Sequence, residues 1–256
     1  MLYAQFIVNG IVTGAYVALV AVGFSLIYST NRFVHFAHGA VVAFGGYMLY
    51  SFFNIVGFNF YLSSIISVLV TGIFGLLLYK GVYRPLKERK ASSAILLIAG
   101  LALMILIENV LLAVFGPSVK TLGFLEVQKG IDLYGVIITP LQIVIVATSF
   151  VLLGCLWFFV TITRLGKIMK AVSDNPELAR ICGIHAERIH ELGFFLGSVL
   201  AGVAAILIGL EQNLAPLMGT TLIIQGFAGA VVGGIHSLPG AVLGSYILGL
   251  SENIGI

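Results

Sequence analysis

Residues 5–28 read QFIVNGIVTGAYVALVAVGFSLIY, a run without one charged side chain and long enough to cross a bilayer as a helix. Comparable apolar blocks cover 36–57, 60–79, 93–115, 137–163 and 193–212, followed by the shorter 221–234 and 238–250. A soluble core of this chain length has no use for so many. A bilayer does, because helices satisfy their own backbone hydrogen bonds in hydrocarbon. Composition agrees: 60% of the residues are hydrophobic and 9% are charged, against roughly a quarter charged in a soluble domain. The expected fold class is all-α, a polytopic transmembrane helical bundle of about seven or eight membrane segments, one or two of them broken or re-entrant. Residues 1–256 read as a single transmembrane domain.

The charges orient the bundle. Lys80, Arg84, Lys87, Arg89 and Lys90 fall in one connection, and Arg164, Lys167, Lys170, Arg180 and Arg188 in another, so ten of the thirteen basic residues lie in two loops. Basic loops stay on the cytoplasmic side. Two spans separate these two, so the parity agrees. The loop between, 116–136, with Lys120, Glu126, Lys129 and Asp132, is expected outside. Counting back three spans puts the N-terminus outside and Arg32 inside. The start lacks the basic region of a secretory leader, so the first block is expected to be a retained span. Cys155 lies in an apolar block and Cys182 in a charged loop, and no disulfide is expected between them. Gly10/Gly14, Gly229/Gly233 and Gly240/Gly244 repeat a spacing that lets membrane helices approach closely.

Residues 164–192 form the one long polar connection on the inner side, and they carry a short helix with both ends specified. Asp174 or Asn175 can cap its start, Pro176 suits the first turn, and Glu177 stands three after Asp174 as in a capping box. Gly183 can close it in the left-handed conformation. Leu178 and Ile181 can project from one side. So short a helix is marginal alone and has to pack on something. It either rests on its own membrane domain or presents a docking knob to a cytoplasmic partner.

Other chemistry is thin. The stretch NRFVHFAHGA, 31–40, carries His35 and His38 three apart, but residues 29–57 contain no Asp, Glu or Cys to complete a metal site. No carboxylate stands near them in sequence to orient a catalytic histidine. No Gly-x-x-x-x-Gly-Lys run cradles a nucleotide phosphate, so ATP-driven transport would need hydrolysis on another chain. No catalytic residue, metal or cofactor is expected. Glu108 lies inside an apolar block, where an ionisable group is a functional candidate by default. Its position near the block's end favours a plain interfacial role instead. Glu211 and Glu252 stand near span ends and read as structural. Interrupted helices often build transport sites, and two places fit. One is 36–47, with Gly39, Gly45 and Gly46. The other is 226–240, with Ser237 and Pro239.

Three stretches resemble a known family. AVSDNPELARICGIHAERIHELGFFLGSVLAGVAAIL (171–207) is similar to the cytoplasmic loop and following span of branched-chain amino acid ABC transporter permeases. GGIHSLPGAVLGSYILG (233–249) resembles their Gly-Gly-Ile-x-Ser-x-Pro-Gly-Ala segment, and HFAHGAVVAFGGY (35–47) their Asn-Phe-Ala-His-Gly segment. The resemblance implies an inner-membrane, multi-pass permease subunit of an importer, paired with a second permease as a hetero- or homodimer. It implies two cytoplasmic ATPase subunits, a periplasmic or lipid-anchored substrate-binding protein and no nucleic acid. ATPase docking carries over to Asp174, Asn175, Pro176, Glu177, Leu178, Ala179, Arg180 and Gly183. A translocation path is expected along His35, Phe36, His38, Gly39, Gly45, Gly46, Gly233, Gly234, Ser237, Pro239 and Gly240. The sequence departs from the family at His35, where asparagine is usual. It also ends at LSENIGI, part-way through a late span, so a truncated C-terminus is expected. Two other functions remain open: a urea or short-amide permease of the same architecture, and a stand-alone ion-coupled carrier or channel using Glu108 and His35 as relay groups.

Overall fold

The computed structural model describes residues 2–124, 130–133 and 136–255. In chain order these form α1 (Leu2–Asn31), α2 (Ala37–Tyr50) continued by a π turn at Ser51–Ile55, and α3 (Phe60–Leu78) continued by a π turn at Tyr79–Tyr83. Then come α4 (Arg84–Glu88), α5 (Ser93–Phe115), a hairpin of β1 (Ile131–Leu133) and β2 (Val136–Ile138), α6 (Pro140–Ile162), α7 (Arg164–Asp174) and α8 (Pro176–Ile181). The chain ends in α9 (Ala186–Gln212), α10 (Met218–Gly233) and α11 (Leu238–Ile254).

The bundle is helical and polytopic. Among the described residues, five helical stretches are long and apolar enough to cross a membrane: α1, α3 through α4, α5, α6 and α9. The α10–α11 pair, bent by 118°, adds at most one more. The expected seven or eight segments exceed this number. The difference lies in the block at 36–57, which makes a helix of only 14 residues before its π turn, and in the last two blocks, which fold as one bent pair.

Helix α1 is the axis of the bundle: 89% of its most apolar window is buried, against 11% for α6 at the periphery. It packs on α11, α9, α10 and α6. Glycine makes the closest of these approaches possible. A Cβ on Gly14 would lie 2.9 Å from the Cα of Tyr246, and one on Gly10 would lie 2.9 Å from the Cα of Leu250. With little hydrophobic drive between helices in lipid, such contact supplies the dispersion energy that holds them. All three expected glycine pairs lie in the α1–α11 and α10–α11 contacts.

Local signals explain the ends. Thr139 and Gln142 form a reciprocal capping box at the start of α6, with Pro140 in the first turn. That stops the block at 137–163 from being helical throughout, since Val136–Ile138 pairs with Ile131–Leu133 instead. Gln5 bonds the backbone of Ile137 in both directions, at 3.0 and 2.9 Å, tying the start of α1 to this hairpin. At the same end, Lys120 and Leu214 exchange backbone hydrogen bonds. Glu126 and Lys129 lie outside the described residues. Cys155 and Cys182 are both free.

Candidate coupling and translocation site

The polar loop at 164–192 folds as two short helices meeting at a single residue, followed by the first turns of α9. Asn175 ends α7 and caps α8, its Oδ1 accepting from the backbone N–H of Glu177 at 3.1 Å and of Leu178 at 3.0 Å. The capping box expected from Asp174 and Glu177 does not form. With Asn175 as the cap, the third helical position is Leu178, which has no polar group to reach back. At the other end Gly183 takes φ +82°, with Ile184 N–H donating to the Ala179 carbonyl and Gly183 N–H to that of Arg180. This pattern closes a helix through a left-handed residue.

The knob stands on a small apolar cluster. Ala179 is buried with Met169 and Val172 of α7, Leu26 of α1, and Ala186 and Ile189 of α9. On the opposite side Leu178 is 56% exposed and Ile181 82% exposed. The short helix therefore rests on its own domain through one face and carries two large exposed apolar side chains on the other.

This knob is wired to the first break in the helices, at 32–36. Arg32 sits there at φ +61° and donates through Nη2 to the carbonyls of Ser173 and Asp174, at the end of α7. Its neighbour Asn31 accepts from Lys87 Nζ at 2.9 Å. Lys80 pairs with Glu191 at 3.2 Å, and Arg84 lies 3.6 Å from Glu187 and 3.7 Å from Glu191. Tyr79 Oη donates to Glu187 at 3.0 Å. The two basic connections and Arg32 thus meet at one end of the bundle. Partly exposed pairs of this kind each contribute about 1 kcal/mol or less, so their main effect is to hold α3, α4 and α9 in register.

The break itself is buried. His35 Nδ1 lies 2.7 Å from Tyr83 Oη, and its ring packs on Phe194 with centroids 4.9 Å apart. His38 is fully buried against the backbone of α1, where a Cβ on Gly23 would fall 2.9 Å from its Nε2. The two imidazoles are 6.1 Å apart between centroids. Among the described residues, no three His, Cys, Asp or Glu side chains gather as a metal site requires. Phe36 is half-buried and meets Phe227 of α10. Gly39 does not break α2. It is a contact point, its Cα side facing Ile223 and the Gly219 backbone of α10. Gly45 faces Thr71 and Gly202, and Gly46 faces Leu214.

The second break, at 234–237, is exposed at Gly234 and Ser237, as is Pro239 just after it. Ser237 Oγ caps α11 by accepting from Gly240 N–H at 3.1 Å, and Pro239 occupies its first turn. Gly234 takes φ +97°, a conformation that favours glycine. Gly233 and Gly240 touch through bare backbone. Ser25 of α1 donates to the Ile235 carbonyl at 2.7 Å, fixing the turn to the axis of the bundle. The expected path residues therefore fall in two places, a buried group around α2 and an exposed group at the α10–α11 turn.

Glu108 is 5% exposed, and its carboxylate accepts from Thr220 N–H at 2.8 Å and from Thr220 Oγ1 at 2.9 Å. It sits at the start of α10, where a negative charge complements the helix dipole. Its place inside an apolar block was the signal for this. Arg32 as the link to the end of α7, and Asn31 as the partner of Lys87, had no such signal, because their partners are backbone carbonyls or a side chain far along the chain. Glu211 accepts from Gln142 at 3.2 Å, and Glu252 from Gln225 at 2.9 Å.

Comparisons with known proteins bear on this geometry. The family model described as "Branched-chain amino acid transport system / permease component" matches residues 6–256. The high-affinity branched-chain amino acid transport system permease protein BraD of Pseudomonas aeruginosa is 31% identical, over 99% of this chain and 86% of its own length. The probable branched-chain amino acid transport permease protein LivH of Methanocaldococcus jannaschii is 32% identical, over 92% of this chain and 76% of its own. LivH of Escherichia coli K12 is 27% identical, over 98% of this chain and 85% of its own. With a multi-pass helical bundle and a match along nearly its whole length, the chain belongs to the branched-chain amino acid transport permease family.

Proposed function

We propose that this chain is one of two permease subunits enclosing the path by which branched-chain or related amino acids enter the cell, in an importer driven by separate ATPase subunits. The observation that carries this reading is the α8 knob. A capped helix of six residues is anchored through Ala179 and carries Leu178 and Ile181 outward, at the end of the bundle where the basic residues gather. An exposed apolar pair on a polar loop, outside the apolar blocks, is suited to a cytoplasmic partner.

Arg32 supports the same reading. It joins the end of α7 to the α1–α2 break, so a displacement of the knob reaches the interior of the bundle through two hydrogen bonds and the shared apolar cluster. Hydrolysis would take place on the partner and the permease would convert it into helix movement. The N-terminus is placed outside by the distribution of basic residues. Delivery of the solute is assigned to an external binding protein, as the family suggests. His35, Phe36, His38, Gly39, Gly45 and Gly46 are assigned to the moving α2 segment, and Gly233, Gly234, Ser237, Pro239 and Gly240 to the bent pair beside the path.

The test is assembly. Ile181→Glu lies on the outer side of α8 and leaves Ala179 in place, so the permease is expected to remain folded by size-exclusion profile while losing ATPase subunits on co-purification. Retention of stoichiometric ATPase by this variant, and by an Asp174–Gly183 deletion, would remove the docking assignment.

A further inference from the structure

Polar side chains are scarce in the apolar helices, and a group of them converges on one place. Thr13 and Tyr16 of α1, Gln212 at the end of α9, Gln225 of α10, and Glu252 and Asn253 of α11 line a single cavity of about 600 Å³. That volume lies within the usual range for small-molecule sites, roughly 300–1,000 Å³. The side chains also hold one another. Gln212 Nε2 donates to Tyr16 Oη at 2.7 Å, and Tyr16 Oη to Thr13 Oγ1 at 3.4 Å. Asn253 Nδ2 reaches the same Thr13 Oγ1 at 3.4 Å. Gln225 Nε2 donates to both oxygens of Glu252, at 2.9 and 3.0 Å.

The charge of the cavity is one-sided. Among the described residues, Glu252 is the sole carboxylate on its wall, and no Lys, Arg or His lines it. Among the described residues Glu252 makes no ion pair. A carboxylate on an apolar helix is costly facing hydrocarbon, so this face of α11 is turned to water or to a polar occupant. One amide donor from Gln225 leaves most of its acceptor capacity free. Ile208 and Leu222 add apolar lining. A small solute with an ammonium group at one end and an aliphatic body at the other matches this mixed lining. A bare metal cation fits less well, because hard cations take six or more oxygen ligands, several of them carboxylates.

We infer that this cavity is a subsite for the ammonium group of the transported solute, with Glu252 as its anionic partner, Gln225 holding the carboxylate in place, and Ile208 and Leu222 against the side chain. The inference rests on the amino-acid reading above and adds the site. It also separates the binding surface from the two breaks: the cavity lies on the sides of α10 and α11 that face α1 and the end of α9, away from the turn at 234–237.

The experiment uses the complete importer, with ATPase and binding-protein subunits, in proteoliposomes. Thr221, one turn before Gln225 on the same wall, is replaced by cysteine in a Cys155→Ala, Cys182→Ser background. Its modification is timed with a trimethylammonium-bearing and a sulfonate-bearing methanethiosulfonate. The cationic reagent is expected to gain about tenfold over the anionic one, relative to their rates with a free thiol, consistent with a charge-assisted contact. Glu252→Gln is expected to abolish that gain, and Glu252→Asp to keep most of it. L-Leucine is expected to slow the cationic reagent, and potassium at matched ionic strength to leave it unchanged. In the native-cysteine importer, Glu252→Gln is expected to lower leucine uptake about tenfold, with co-purification of the ATPases confirming assembly. A reagent preference unchanged by Glu252→Gln overturns the inference, and so does protection by potassium equal to that by leucine. If the unsubstituted importer moves no amino acid yet Glu252→Gln still removes the reagent preference, the cation-selective cavity stands and the amino-acid reading falls.

Discussion

The two interruptions in the apolar body are made of opposite materials. At 32–36 the chain turns on side chains: Arg32 reaches the carbonyls of α7, His35 meets Tyr83, and Asn31 holds Lys87. At 234–237 it turns mainly on backbone, with Gly233 against Gly240 and Gly234 in a left-handed conformation, pinned by Ser25 and capped by Ser237. The first break is buried at Phe33 and His35, exposed at Arg32, and connected to the two basic loops. The second is exposed and held by backbone contact. A junction made of side-chain hydrogen bonds can exchange partners, since each bond contributes about 1 kcal/mol net. A junction made of touching backbones has no such freedom, because any added atom has to displace a helix. The first suits a moving joint and the second a fixed corner.

Substitutions at three positions would break or sharpen that contrast. Gly233→Val, at the fixed corner, is expected to have the largest effect. Its Cβ would fall on the Gly240 carbonyl, and overpacking against backbone costs about 3 kcal/mol. Little monodisperse protein should survive detergent extraction. A normal yield would mean that the corner gives way, and the contrast would be lost. His35→Phe is expected to cost about 2 kcal/mol, because it leaves the buried Tyr83 hydroxyl without its partner. His35→Asn keeps a polar group there and should recover part of that loss. Thermal unfolding of both variants measures the difference. Arg32→Ala should be the mildest for stability, about 1 kcal/mol or less, since the residue is exposed at the surface. Its effect should appear in coupling instead: ATPase co-purification retained, and solute uptake per ATP hydrolysed reduced. If uptake per ATP is unchanged, the break at 32–36 is a static turn like the other.

Much of the helical architecture was open to reading from periodic apolar blocks, and the ends of α8 from Asn175, Pro176 and Gly183. Capping is local chemistry, decided within four residues, and sequence carries it well. Even so, the choice between Asp174 and Asn175 depended on where the preceding helix stopped. The block at 36–57 was long enough by composition, but its helix changes to a π turn at Ser51. The blocks at 221–234 and 238–250 are separated in the right place, while the 118° bend between their helices accompanies a contact with α1. Glu108 was legible as a buried ionisable group and illegible as the partner of Thr220, which lies 112 residues away.

What residue order settles here is what depends on near neighbours: which stretches are helical and apolar, where they are capped, and which connections carry the basic residues. Solvent imposes those features segment by segment. Residue order leaves open which polar side chains share a cavity. Thr13, Tyr16, Gln212, Gln225, Glu252 and Asn253 come from four helices, and each reads as an unremarkable span residue or span end. Their convergence follows from which glycines let α1 and α11 close on each other and from how sharply α10 turns into α11. Those are properties of packed surfaces, in which contacts between distant residues compete, and they take definite form once the helices have been brought together.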